Sequence, residues 1–356
     1  MNWLIWRQYR KQLLIFVGIF IIFAAVAIPF GVNFWKHYQE VQTSCSQVGA
    51  AGCSQKEIRN VIFRTAAEGQ VVNLVKLTLL GLPFLLGLFW GVPLLAKEYA
   101  ENTNKLVWTQ GISRRKWLTT KLAWVLFATV LYAGAFTAVA TWFSRTGNAV
   151  NSDRFTELAF MSQGVVPVAM AVFAVCVGIL FGAWFKRLLP ALGATLGLLL
   201  VLQIAVPTFA RPHYQATQVT TESLKVEKGE FAPGGPNKED WTISAKQLDS
   251  SGKELDSKFP PQQCIIDEEQ MQKERAESQE APKPGTPEKP RTAAFSLAGG
   301  PVISINCLSD LGYHWEVKYQ PAYRYWNFQR IETALYLVLT GMAVSATYWL
   351  VLRRDA

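Results

Sequence analysis

The sequence predicts an all-α bundle of six membrane spans, with both termini cytoplasmic and a strand-containing extracytoplasmic insert between spans five and six. Three observations carry that reading. First, the 356 residues hold 61 Lys, Arg, Asp and Glu, yet six runs lack them altogether: 12–35, 77–96, 122–144, 158–185, 188–210 and 333–352. These runs measure 24, 20, 23, 28, 23 and 20 residues and are dominated by Leu, Val, Ile, Phe, Ala and Gly. A hydrocarbon core of about 30 Å needs roughly 20 apolar residues of helix to cross it, and six such runs exceed what a soluble core accommodates. Second, segments 1–12, 97–121, 186–187 and 353–356 carry 13 Lys/Arg against three acidic residues, a net +10 in 43 residues, whereas the rest of the chain is −1. Cations in short loops are retained on the cytoplasmic side. Third, four of the five cysteines fall in segments that this threading places outside.

Residues 1–12 combine Trp3, Trp6 and Tyr9 with Arg7, Arg10 and Lys11, the composition of an amphipathic helix at headgroup level. The Ala25-Val26-Ala27 that follows resembles a signal cleavage site, but the apolar run continues to Trp35, so a retained span is expected. Residues 13–210 are read as spans one to five with a cytoplasmic hairpin at 97–121. Residues 211–332 form the outer insert, and 333–356 the sixth span and cytoplasmic tail. The charge-free stretch 292–309 is rejected as a span because it contains Gly299, Gly300 and Pro301; residues 302–307 read as a strand. Cys45 and Cys53 share the first outer loop, and Cys264 and Cys307 the insert, so disulfides Cys45–Cys53 and Cys264–Cys307 are expected where thiols oxidise. Cys176 reads as a small apolar packing residue.

Within the insert, residues 313–319 (Tyr-His-Trp-Glu-Val-Lys-Tyr) alternate strictly, as a half-buried strand does. Residues 218–226 and 241–245 repeat that pattern more weakly. Residues 267–291, rich in Glu, Lys, Gln and Pro, read as a loop.

Much chemistry is excluded. No phosphate-binding Gly-x-x-x-x-Gly-Lys-Ser/Thr loop occurs, so ATP hydrolysis by this chain is not expected. His37, His213 and His314 are widely separated, no Gly-x-Ser-x-Gly elbow is present, and no catalytic, cofactor or metal constellation is found. The pI of 9.3 reflects topology and contact with anionic headgroups, since the large outer segment is nearly neutral; no nucleic-acid partner is expected. The six runs hold no Asp, Glu, Lys, Arg or His, which argues against energy coupling by intramembrane titration. Any driving force then arrives from outside the bilayer.

The only sizeable cytoplasmic segment is 97–121. Gly111 is placed to end one helix and Ser113 to cap the next. Arg114, Arg115 and Lys116 then occupy a first helical turn, where the macrodipole disfavours cations, so an anionic inner leaflet is expected to compensate. The Lys97-Glu98 doublet after a span, Thr103-Asn104-Lys105-Leu106, Trp108-Thr109-Gln110, and Ser113-Arg114-Arg115-Lys116-Trp117 with Lys121 resemble the loop between spans two and three of type-2 ABC exporter permeases. Residues 319–332 before the last span resemble the same place in actinobacterial members. The size of the 211–332 insert departs from the compact re-entrant outer helices of that family.

The resemblance implies a permease subunit of an ATP-driven exporter in a bacterial plasma membrane. Residues 2–12 would be the connecting helix and 98–110 the coupling helix, seated on a separate ATPase subunit that holds ATP and Mg²⁺. A second permease copy, identical or related, would complete the unit. Glu98, Thr103, Lys105, Leu106 and Gln110 are the expected coupling residues, with Glu98 transmitting force. The competing reading is a membrane-anchored sensor or binding protein with no transport activity. Gly87/Gly91, Gly178/Gly182 and Gly193/Gly197, spaced four apart, would permit close helix approach, and Pro83, Pro93 and Pro167 would kink helices.

Overall fold

The computed structural model describes residues 2–48, 66–101, 113–151, 154–223, 237, 239–255, 261–266, 294–296 and 302–354. Two compact units emerge, Met1–Tyr214 with Arg324–Ala356, and Gln215–Tyr323.

The first unit is the helical bundle. Helix α1 (Asn2–Val48) runs unbroken through Pro29, so the helical residues 2–12 are continuous with span one. Helix α2 (Ala66–Leu86) leads through a π turn, Gly87–Gly91, into α3 (Val92–Ala100), which starts on Pro93. Helix α4 spans Arg114–Asn151. The 158–185 run departs from expectation: it divides into a short α5 (Glu157–Phe160), a turn containing Gly164 at φ +77°, and α6 (Val166–Phe185). Pro167 therefore starts a helix instead of kinking one, because its fixed φ and missing N–H suit a first turn. Helix α7 (Leu188–Ala205) continues through a π turn, Val206–Ala210, into a 3₁₀ turn, Arg211–His213. Among the described residues, six helical stretches are long and apolar enough to cross a membrane: Arg10–Ser44, Gln70–Ala100, Arg114–Arg145, Val166–Phe185, Leu188–His213 and Ala322–Arg353.

Helix α6 is apolar all round and buried on nearly every face, the expected fate of such a helix at the centre of a bundle. Lipid tails are as apolar as leucine, so close packing has to hold membrane helices together. Two of the three glycine pairs provide it. A Cβ at Gly91 would lie 2.5 Å from the Val175 carbonyl oxygen, one at Gly182 2.7 Å from that of Val92, and one at Gly178 would strike the Gly87 carbonyl. The π turn and α3 thus lie backbone to backbone against α6. Gly193 and Gly197, by contrast, meet nothing within 4 Å on α7. That helix presents Leu189, Leu200, Val201 and Ile204 outward, which suits a lipid-facing surface. An aromatic cluster fastens α1 to α4 and the π turn: Phe16 to Trp90 at 4.8 Å and to Tyr132 at 5.4 Å, and Phe23 stacked on Phe136 at 4.6 Å.

The second unit contains two three-stranded antiparallel sheets. Strands β1 (Gln218–Ser223), β2 (Trp241–Leu248) and β6 (His314–Gln320) order as β1-β6-β2, with Val219 opposite Lys318 and a bulge between Thr242 and Ser244. The alternation read over 313–319 appears in β6 as buried Val317 and Tyr319 around exposed Lys318. Strands β3 (Ile265–Ile266), β4 (Ala294–Ser296) and β5 (Val302–Ser304) order as β3-β5-β4. The strand expected over 302–307 ends at Ser304, whose hydroxyl accepts from the Cys307 amide and caps α8 (Ile305–Asp310). The bundle is completed by α9 (Tyr325–Trp349) and a π turn, Leu350–Arg354. The second compact unit runs 215–323, and Arg211 and Glu332, the ends of the expected insert of 211–332, fall in the first unit. Residues 224–226 and the loop read over 267–291 lie outside the described residues.

Candidate functional site

Helix α3 ends at Glu101, whose amide reaches the Lys97 carbonyl at 3.0 Å, and α4 begins after Ser113, whose hydroxyl accepts the Lys116 amide at 3.3 Å. The expected cap is therefore made. These two ends form the base of the 97–121 hairpin, and one ion pair closes it. Glu98 Oε1 accepts from Lys121 Nζ, with the two side chains 14% and 4% exposed. A pair this buried is held by its geometry, because either charge alone would remain desolvated. The Lys121 ammonium also stands 4.7 Å over the Trp117 ring, itself buried in the core of the bundle.

Two further contacts extend this base across the bundle. Lys186, in left-handed conformation at φ 53° where α6 ends, places its ammonium 5.2 Å over the Tyr99 ring. Thr119 and Tyr348 share a 2.7 Å hydrogen bond between α4 and α9. The base of the hairpin thus touches α3, α4, α6 and α9 together. By comparison, the exposed Lys97–Glu101 pair at 3.9 Å contributes little. Of the expected coupling residues, Glu98 occupies this ion pair; Thr103, Lys105, Leu106 and Gln110 lie outside the described residues.

A second polar centre at the opposite end of the bundle was not anticipated. Arg211 Nε and Nη2 donate to Glu332 Oε2 and Oε1 at 2.9 and 3.0 Å, with side chains 1% and 0% exposed. The guanidinium stacks 4.0 Å above Phe160, and Tyr214 Oη donates to Glu332 at 3.4 Å. Next to it, Gln329 Oε1 accepts from the Val165 and Val166 amides at 3.1 Å each, satisfying the start of α6. Its Nε2 is within reach of the Phe160 and Gln163 carbonyls and Tyr325 Oη. Among the described residues, the bundle is therefore uncharged across its middle and carries one buried ion pair near each end. The signal was present: Arg211 and Glu332 are opposite charges that terminate adjacent apolar runs.

Cys264 and Cys307 are joined as a disulfide with Cα atoms 5.4 Å apart, tying a 3₁₀ turn to α8 around Ile303, Ile305 and Leu308. Cys176 is free and buried in α6. The expected Cys45–Cys53 pairing lies outside the described residues. Among the described residues, no cluster of three or more His, Cys, Asp or Glu is arranged to hold a metal ion.

The family model described as ABC-2 membrane transporter related matches residues 17–211, which takes in the hairpin and the helices that form its base. No curated protein and no solved structure matches the chain.

Proposed function

Because the chain belongs to the ABC-2 membrane transporter related family, we propose that it is the permease subunit of an ATP-driven exporter, powered by a separate ATPase chain docked on the 97–121 hairpin. The observation that carries this reading is the Glu98–Lys121 pair. A loop that served only to set topology would need cations, and it would not need a buried carboxylate clamped across its base and braced on Trp117. Such a clamp turns the hairpin into a lever. ATP and Mg²⁺ sit on the ATPase, and the 98–110 segment, with Thr103, Lys105, Leu106 and Gln110, is its expected seat. Glu98 passes the displacement to α4 through Lys121, and the Lys186–Tyr99 contact passes it to α6. Export of an amphiphile suits a bundle whose middle is uncharged and rich in aromatic side chains. Two permease copies in a bacterial plasma membrane complete the unit.

The test is to co-express the chain with its neighbouring ATPase, purify through a tag on the permease, and measure captured protein and hydrolysis. Leu106→Asp is expected to abolish capture. Glu98→Ala is expected to retain capture but to lower permease-stimulated hydrolysis at least about tenfold, because breaking a buried pair costs on the order of 3–5 kcal/mol of the geometry that transmits force. Wild-type protein that captures no ATPase, or variants that behave like wild type, would overturn the assignment and leave the anchored sensor as the better reading.

A further inference from the structure

A cavity of about 310 Å³ lies between α1, the π turn and α4, in the half of the bundle that carries Arg10 and the start of α4. Its walls are Leu13, Phe16, Trp90, Val125 and Tyr132, and among its lining residues the amide of Gln12 is the polar exception, Tyr132 Oη being engaged with the Phe16 carbonyl at 2.9 Å. The cavity opens sideways: Val17, Trp124, Phe127 and Leu131 at its rim are 40–61% exposed. In a bilayer that opening faces acyl chains, and the volume lies at the lower end of the roughly 300–1,000 Å³ of small-molecule pockets. Gln12 Oε1 is buried and has no hydrogen-bond partner among the described residues, an arrangement that normally costs about 1–3 kcal/mol unless something else supplies a donor.

Cations stand where a headgroup would lie. Arg10 precedes Leu13 and Val17 by three and seven residues, so it continues the same face of α1 by one turn. Lys116 precedes Phe127, another lining residue, by eleven residues, three turns or about 16 Å along the same face of α4. Both are exposed. Lys116 also follows Arg114 and Arg115 in a first helical turn, where an anion would relieve the unfavourable dipole. An apolar slot open to lipid, an unsatisfied amide oxygen at its polar end and cations beyond it match an amphiphile with an anionic head. We propose that this cavity binds an anionic diacyl phospholipid whose headgroup carries hydroxyl donors. One acyl chain fills the slot, the phosphate lies between Arg10 and Lys116, and a headgroup hydroxyl donates to Gln12 Oε1. The site does not depend on the ATPase reading; it requires only the bilayer.

The experiment uses the full chain, delipidated in detergent and titrated with phosphatidylglycerol or phosphatidylcholine under native mass spectrometry. Quenching of tryptophan fluorescence by brominated acyl chains is the second readout, since Trp90 and Trp124 line the slot. Wild type is expected to retain one phosphatidylglycerol per chain, favoured over phosphatidylcholine roughly tenfold or more given two cations at the headgroup. Ala128→Trp, at another residue lining the slot, fills it and is expected to abolish both signals. The Arg10→Glu, Lys116→Glu double variant alters exposed positions only and is expected to lose the preference while melting like wild type. It decides the matter should Ala128→Trp fail to fold. Equal retention of the two lipids, unchanged binding by the variants, or dimer cross-links through Phe127→Cys showing a second copy in the slot would each overturn the proposal.

Discussion

At the scale of single residues, the Arg211–Glu332 pair makes the clearest demand. Both side chains are essentially inaccessible, and two hydrogen bonds at 2.9 and 3.0 Å join them. Removing one partner leaves a desolvated charge, which costs about 3–5 kcal/mol, whereas replacing both with apolar groups of similar volume is often neutral. Glu332→Gln and Arg211→Met are each expected to lower stability by about that amount, measured as loss of the folded fraction in detergent titrations. The Arg211→Met, Glu332→Leu double variant is expected to recover most of it; a double variant as damaged as the worse single one would show that the pair acts through something other than mutual charge. These residues show what the sequence conceals. Run lengths revealed that two opposite charges bound spans five and six. They carry no information on helix rotation, so the pairing of Arg211 with Glu332, 121 positions apart, was not legible, nor that of Glu98 with Lys121. Glu98 itself stood out through its place after a span and its resemblance to known loops.

At the scale of elements, packing depends on where backbones touch. Glycines four apart were visible in the sequence, but three pairs looked alike, and only the partner helix distinguishes them. Gly87, Gly91, Gly178 and Gly182 meet one another's segments, while Gly193 and Gly197 face open space. Gly178→Ala is accordingly expected to destabilise the bundle by about 1–3 kcal/mol, the usual cost of overpacking, and Gly193→Ala to leave it unchanged or slightly more stable, read by thermal unfolding of the two purified variants. The division of the 158–185 run was hidden for a related reason. Apolar composition continues straight through it, and the break is set by Gly164 in its left-handed conformation against Gln329, a contact 165 positions distant in sequence. In the second unit, Asp249 organises the turn after β2, accepting from Ser251 Oγ at 2.6 Å, Ser251 N at 2.8 Å and Lys253 N at 2.9 Å. The Ser251 hydroxyl first, then the Lys253 amide, holds its carboxyl below the usual range. A depressed acid stabilises the fold above its unfolded value and ceases to do so as pH falls through its folded one. Amide exchange protection at Ser251 and Lys253 is therefore expected to persist below about pH 4, where an ordinary aspartate has begun to protonate, and to vanish on further acidification. Asp249→Ala should remove it at every pH.

At the scale of the whole molecule, orientation decides which face meets the source of energy. Four segments hold 13 cations against three acidic residues, and the rest of the chain is nearly neutral. Each cation that crosses a bilayer on an inserting loop meets a barrier of several kcal/mol, so their joint retention on one side is strongly favoured. Glu98, Lys121, Lys186 and Arg353 all fall on that side by chain order, which is why the ion-paired hairpin base, the α6–α7 turn and the chain end share one end of the bundle. On that reading the second unit, with its disulfide, is expected on the oxidising side. Exposed Ser113 and exposed Ser251 report on the two sides independently. In a background with Cys45, Cys53 and Cys176 changed to Ser, Ser251→Cys is expected to react with a membrane-impermeant maleimide on intact cells, and Ser113→Cys only after permeabilisation. The reverse labelling would place the hairpin where no ATP-hydrolysing partner can reach it, and the proposed lever would have nothing to move it.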